Sequence, residues 1–133
     1  MGNMNYQAPK NQETNEDFIE VLNNHINQHP NEITLVTLGP LTNVANFIKK
    51  YPDSFLKLKN IVIMGGASNT VGNVTPAAEY NIWCDPEAAD IVYKSKHHDI
   101  AMVGWELCKG EANLTEEEMK LAYSFKTEKA DFT

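Results

Sequence analysis

The stretch that decides the fold is residues 61–89, IVIMGGASNTVGNVTPAAEYNIWCDPEAA. It starts as a short apolar run, Ile61-Val62-Ile63-Met64, whose β-branched content suits a buried strand. Gly65 and Gly66 follow. A glycine pair lets the backbone turn sharply and lets a ligand come close. Residues 67–75 are polar and contain Gly72, so they read as a surface loop. Glu79 and Asn81 then arrive two residues apart. In extended backbone their side chains point the same way. Asp85-Pro86-Glu87 supplies an N-cap, a proline at the first helical position and an acid in the first turn. Strand, polar loop, carboxylate-amide pair and helix start make a ligand rim in an α/β protein.

The flanking sequence repeats the strand-helix alternation. Upstream, Ile33–Leu38 reads as a strand buried on both faces, as in a parallel sheet. Gly39-Pro40 makes a turn, with Pro40 at or near N1 of a helix carrying Leu41, Val44, Ala45 and Ile48. That helix stops before Pro52, and Phe55, Leu56 and Leu58 form a connector that packs on the sheet. Further upstream, Phe18, Val21, Leu22 and Ile26 recur at helical spacing, with Thr14 and Asp17 as a capping box and Pro30 as the stop. Residues 1–13 are polar and contain Pro9, which predicts a flexible N-terminus. Downstream come a helix over Pro86–Ser95, a strand over Ile100–Val103 and a full capping box, Thr115-x-x-Glu118. The helix after it carries Met119, Ala122 and Tyr123.

This order predicts right-handed βαβ units in a partial doubly wound, Rossmann-like α/β fold. The sheet is mostly parallel with flanking helices, in a single partial domain over residues 1–133. Ligands of such sheets sit at the carboxyl ends of the strands. Three ends carry polar or flexible residues here: Leu38-Gly39, Met64-Gly65 and Trp105-Glu106. Glu106 is therefore a candidate for the site rim.

Composition narrows the function. Hydrophobic residues make up 42% and charged residues 22%, ordinary values for a globular domain. The net charge of −7 argues against nucleic acid and against an anionic membrane, since phosphate partners need Lys and Arg clusters. No apolar run is long enough to span a bilayer, and no secretory leader is visible, so a cytoplasmic location is expected. Cys84 and Cys108 have no metal-like spacing and read as reduced thiols. His25 and His29 have zinc-compatible spacing, but no Glu lies between them in an HExxH pattern, so they read as a solvated helix face. His97-His98-Asp99 precedes a strand, at the wrong end of the sheet for a site, and reads as a solvated loop.

The combination of MGG, a loop with GN, AEYN and DPEAA, preceded by LVTLGPLTN at Leu35–Asn43, resembles the central motifs of the inosine-uridine-preferring nucleoside hydrolases. The resemblance covers most of residues 33–104. It implies hydrolysis of the N-glycosidic bond of a ribonucleoside to free base and ribose. The attacking water is held by calcium, and the transition state is oxocarbenium-like. It also implies that Leu38 gives its main-chain carbonyl to that calcium and that Met64 lies beside the ribose. Asn73 would bind ribose hydroxyls, and Glu79 with Asn81 would hold the hydroxyl face of the sugar. A carboxylate accepts from a hydroxyl, and an amide both donates and accepts. Taken singly, Met64 reads equally as core, Asn73 after Gly72 as a turn, Glu79 as a surface acid and Asn81 as a cap. Asp85 needs no role beyond its N-cap.

The sequence departs from the family pattern in two places. There is no DTDxxxDD cluster, and nothing after Thr115 matches the later His-Asp pair. No catalytic residue is therefore identified. The expectation is the ribose-binding half of a site, inactive alone, with calcium held through Leu38 only if the rest of the site is supplied. Ribose or a ribonucleoside is the expected ligand. Family members commonly oligomerise, so a homo-oligomer stays open. The rival reading is a truncated paralogue acting as a non-catalytic interaction module through an open sheet edge. Base preference is not legible.

Overall fold

A computed structural model describes residues 16–110 and 112–127 of the 133-residue chain. Three parallel strands form one sheet in the order β1-β2-β3: β1 (Thr34–Thr37), β2 (Asn60–Met64) and β3 (Ile100–Val103). The register pairs Leu35 with Ile61 and Ile61 with Ile100. Helices α1 (Phe18–Gln28), α2 (Thr42–Lys50), α3 (Pro52–Phe55), α4 (Tyr80–Cys84), α5 (Pro86–Tyr93) and α6 (Glu116–Ser124) surround or follow it. A 3-10 helix, Trp105–Lys109, follows β3 directly.

The crossovers β1-α2-β2 and β2-α5-β3 run in the same direction along the sheet. Right-handed crossovers of that kind place their helices on one face. The core shows this face: Ile61 and Ile63 of β2 are fully buried with Ile26, Leu41, Val44, Phe47, Phe55, Leu58, Ala88, Ala89 and Val92. Each large apolar side chain removed from water contributes about 1.5–3 kcal/mol before entropy is counted. Polar contacts fix how α1 approaches. Lys50 Nζ and Tyr51 Oη donate to the Glu20 carboxylate, and Ser54 Oγ donates to Asn23 Oδ1 at 2.6 Å.

The expectation that β1 is buried on both faces is corrected. Among the described residues β1 is an edge strand, and its residues alternate between exposed and half-buried. Val36 shares the outer face with Val62 and Ala101, and it is 55% exposed because no helix among the described residues covers that face. Period-two alternation sets which face a side chain takes, but not whether the face is covered.

Other boundaries shift for local reasons. Asp17 caps α1, its carboxylate accepting from Ile19 N at 2.8 Å. Thr14 and residues 1–13 lie outside the described residues. Pro40 precedes the α2 N-cap, Leu41, instead of opening the helix. The connector after α2 is itself one helical turn, α3, with Pro52 at its start. Its Phe55 and Leu58 are buried as expected, whereas Leu56 is exposed. The Thr115–Glu118 capping box forms as expected, but α6 buries none of its residues. His97 is not a solvated loop residue. It is 8% exposed, its Nε2 lies 2.9 Å from Leu58 O, and its Nδ1 accepts from Asp99 N. Both ring nitrogens are thereby used in holding the β3 entry to the connector.

Candidate functional site

The site forms where β2 ends. The strand stops at Met64, and Gly65 and Gly66 carry the chain away from the sheet. Gly66 has φ +82°, a left-handed conformation that glycine adopts without steric cost. Residues 67–79 contain no helix or strand, only an isolated bridge between Thr75 and Ala78.

The Glu79–Asn81 segment is not extended throughout, as the two-residue spacing suggested. Glu79 is extended, at φ −86° and ψ 150°, and α4 begins at the next residue. Its carboxylate caps that helix. Oε2 accepts from Asn81 N at 3.0 Å, from Ile82 N at 3.4 Å and from Gly66 N at 3.0 Å. Glu79 is 2% exposed and so is not a surface acid. All three bonds fall on one oxygen, which leaves Oε1 without a partner among the described residues.

Asn81 is 8% exposed, and its Nδ2 donates to Met64 O at 3.1 Å, with Met64 Sδ 3.2 Å away. Its Oδ1 stays available as an acceptor. Asn73 is exposed, and its Oδ1 accepts from Tyr80 N at 2.9 Å, which ties the loop to the start of α4. The structure thus brings Met64, Asn73, Glu79 and Asn81 around one short helix at the carboxyl end of the central strand. Leu38 lies one residue past the Thr37–Ile63 pair, level with Met64 at the end of the neighbouring strand, with its side chain 78% exposed. Beside it, the Thr37 hydroxyl is buried without a partner among the described residues.

Two features were not anticipated from the sequence. One is α4 itself, whose exposed Tyr80 and Trp83 stand next to the cluster. A hydrogen bond to Cys84 pushes the Tyr80 hydroxyl above its ordinary pKa. Local sequence gives this helix no clear signal, because Glu is not among the preferred N-cap residues and Tyr80, Ile82 and Trp83 favour strands. The other is the 3-10 helix, which brings Glu106 to the loop. Ser68 Oγ donates to Glu106 Oε1 at 2.7 Å, and this bond is the largest cause holding the Glu106 carboxyl below its usual range.

Calcium takes about six to eight oxygen ligands. Among the described residues, no three His, Cys, Asp or Glu side chains come together. The Leu38 carbonyl alone is too small a donor set, so the described residues do not fit the ion by themselves. No described helix is long and apolar enough to cross a membrane. Cys84 and Cys108 are free thiols at the surface.

Fold and site together define an α/β protein with a polar ligand rim at the carboxyl ends of parallel strands. The family model described as inosine-uridine preferring nucleoside hydrolase matches residues 1–132, and the chain belongs to that family. It is 47% identical over 104 residues to a probable uridine nucleosidase 1 of Oryza sativa subsp. japonica, covering 78% of this chain and 32% of that protein. It is 48% identical over 88 residues to the pyrimidine-specific ribonucleoside hydrolase RihA of Shewanella sp. (strain ANA-3), covering 66% and 27%. A purine-preferring ribonucleoside hydrolase from Gardnerella vaginalis superposes with a TM-score of 0.85 at 29% identity, over 97% of this chain and 41% of that one. The chain therefore spans about a third of the length of the curated relatives it matches.

Proposed function

We propose that this chain carries the ribose-holding part of a ribonucleoside hydrolase site. The observation that carries the reading is the cluster at the end of β2. Glu79 and Asn81 are nearly buried and locked to Gly66 and Met64, yet each keeps one oxygen free among the described residues. Two fixed acceptors beside the Asn73 amide suit a face of adjacent hydroxyls. Rigid acceptors also favour a distorted sugar over a relaxed one when their bonds tighten toward the transition state. The names of the relatives support a sugar role for the shared segment. They include uridine, pyrimidine and purine preferences, so what they share with this chain is tied to the ribose and not to one base.

Calcium would be the source of the activated water in a complete site, with Leu38 offering its main-chain oxygen. The described residues do not supply the remaining ligands, so we derive no hydrolytic step from them. On this reading the 133-residue chain binds ribose or a ribonucleoside weakly and does not turn it over. Titration calorimetry with ribose and with uridine, with calcium present, tests the binding, and a reducing-sugar assay tests turnover. Robust ribose release would overturn the inactive reading, and absence of binding would overturn the sugar site.

A second reading has its own observation. The outer sheet face around Val36 is uncovered among the described residues. A non-catalytic interaction module is the alternative that uses such a face. It predicts a stable complex or dimer in sedimentation and no heat on adding ribose.

A further inference from the structure

The loop that carries Asn73 has little to hold it. Ser68, Asn69, Val71 and Asn73 are exposed, and its internal closure lies in its second half, through Gly72 N to Pro76 O and Val74 N to Ala78 O. The first half is held from outside by the 3-10 helix that follows β3. Trp105 N donates to Gly66 O at 2.8 Å. Ser68 Oγ donates to Glu106 Oε1. Lys109 Nζ donates to Val71 O at 2.7 Å and to Thr70 Oγ1 at 3.1 Å. The Glu106 side chain folds back over Gly104 to reach the loop, so closely that a Cβ on Gly104 would lie 2.3 Å from Glu106 Oε2. Three of these four bonds have an ionised partner, and such bonds are shorter and roughly twice as strong as neutral ones.

We propose that Glu106 and Lys109 are positioning residues of the sugar site. They act through Ser68, Thr70 and Val71, and they set where Asn73 stands relative to Glu79 and Asn81. Neither belongs to the Met64–Asn73–Glu79–Asn81 cluster, so neither is a catalytic residue. β3 thereby contributes to a site whose polar groups all come from the segment between β2 and α5. The inference rests on the ribose-site reading given above and adds to it a requirement for the third strand end.

The test uses the full chain with two readouts. Hydrogen exchange measured by mass spectrometry reports order in residues 66–79, and calorimetry with uridine and with ribose reports the site. The variants are Glu106→Ala, Glu106→Gln and Lys109→Met, with Lys120→Met as a control on α6. Glu106→Ala and Lys109→Met should each speed exchange in the loop and weaken uridine binding by roughly tenfold, the loss expected for one charge-assisted hydrogen bond. Their urea midpoints should stay near that of the wild type. Glu106→Gln keeps an oxygen to accept from Ser68 and should recover most of both losses, and Lys120→Met should change neither. Unchanged exchange in both variants would overturn the proposal, as would faster exchange with unchanged affinity. The two failures separate: a wild-type chain that binds neither probe sinks the ribose reading and this inference with it, whereas binding that survives both variants sinks only the positioning role.

Discussion

The side-chain amide of Asn81 donates to the main-chain oxygen of Met64 across 17 residues of sequence, at 3.1 Å. That bond joins the helix after the loop to the strand before it. A strand-end carbonyl that would otherwise face a ligand or water is instead used to orient the amide. The remaining Oδ1 has no hydrogen-bond partner among the described residues. The same contact explains why Asn81 is nearly buried although it is the second residue of a helix of only five.

Replacing Asn81 by Asp tests this directly. The change is nearly isosteric, but it sets an acceptor against the Met64 carbonyl and leaves that carbonyl unpaired. We expect a destabilisation of about 1–3 kcal/mol in urea unfolding, the usual cost of a stranded buried group. Asn81→Ala removes the donor without adding repulsion and should cost less. If the Asp variant unfolds at the wild-type midpoint, the bond does not hold the site together.

The sheet was legible because its signals are local. Ile61–Met64 and Ile100–Val103 are short β-branched or apolar runs bounded by turns, and both are strands. The Asp85 cap and the Thr115 box are also side-chain to backbone contacts within three residues, and both form. What was not legible depends on distant partners. Nothing in Thr34–Thr37 says that it lies at an edge, and nothing in His97 says that Leu58 O will meet its ring. At the site, the residue types pointed to a ligand rim and the family resemblance to ribose, but the Glu79 bond to Gly66 N spans 13 residues. Local reading of Glu79 taken singly therefore could not separate a surface acid from a site residue.

Glu79 caps α4 and anchors the glycine turn with one oxygen, so its two simplest substitutions should differ. Glu79→Ala strands three main-chain amides, and loss of the cap alone costs about 0.5–2 kcal/mol. Glu79→Gln can present its amide oxygen to the same donors and should retain most of the stability. Thermal melts of both variants beside the wild type check the order. A Gln variant less stable than the Ala variant would mean that the charge, and not the acceptor geometry, carries the contact.

Gly72 is required by the fold of the loop. A Cβ there would lie 2.1 Å from Ala78 O and 2.5 Å from Thr75 O, both main-chain atoms that cannot rotate away. Gly72→Ala should open the Thr75–Ala78 turn, speed exchange of the Val74 and Ala78 amides, and cost about 1–3 kcal/mol by overpacking. Gly39→Ala is the matched control. Its Cβ would meet nothing within 4 Å, and Gly39 does not have positive φ. The control should therefore be neutral, or more stable by about 0.4–1 kcal/mol through the unfolded chain. Equal behaviour of the two variants would refute the packing account.

Asp85 gives the acid side of the stability curve a specific contributor. The Thr42 hydroxyl donates to its carboxylate, the backbone N–H of Ala88 donates as well, and the two hold its pKa below the ordinary carboxylate value, Thr42 having the larger effect. A folded pKa below the unfolded one, about 3.9 for Asp, means that the unfolded chain binds the proton more readily. The stabilisation is thus fully present above the unfolded pKa and is lost as the pH falls through the folded one. Thr42→Val keeps the side-chain shape and removes the donor. Its melting temperature should fall below that of the wild type at pH 7, and the gap should narrow steadily as the pH drops below about 4. Melts of the two proteins from pH 7 to pH 2.5 check this. A gap that stays constant across that range would show that Thr42 stabilises α2 by some route other than its bond to the Asp85 carboxylate.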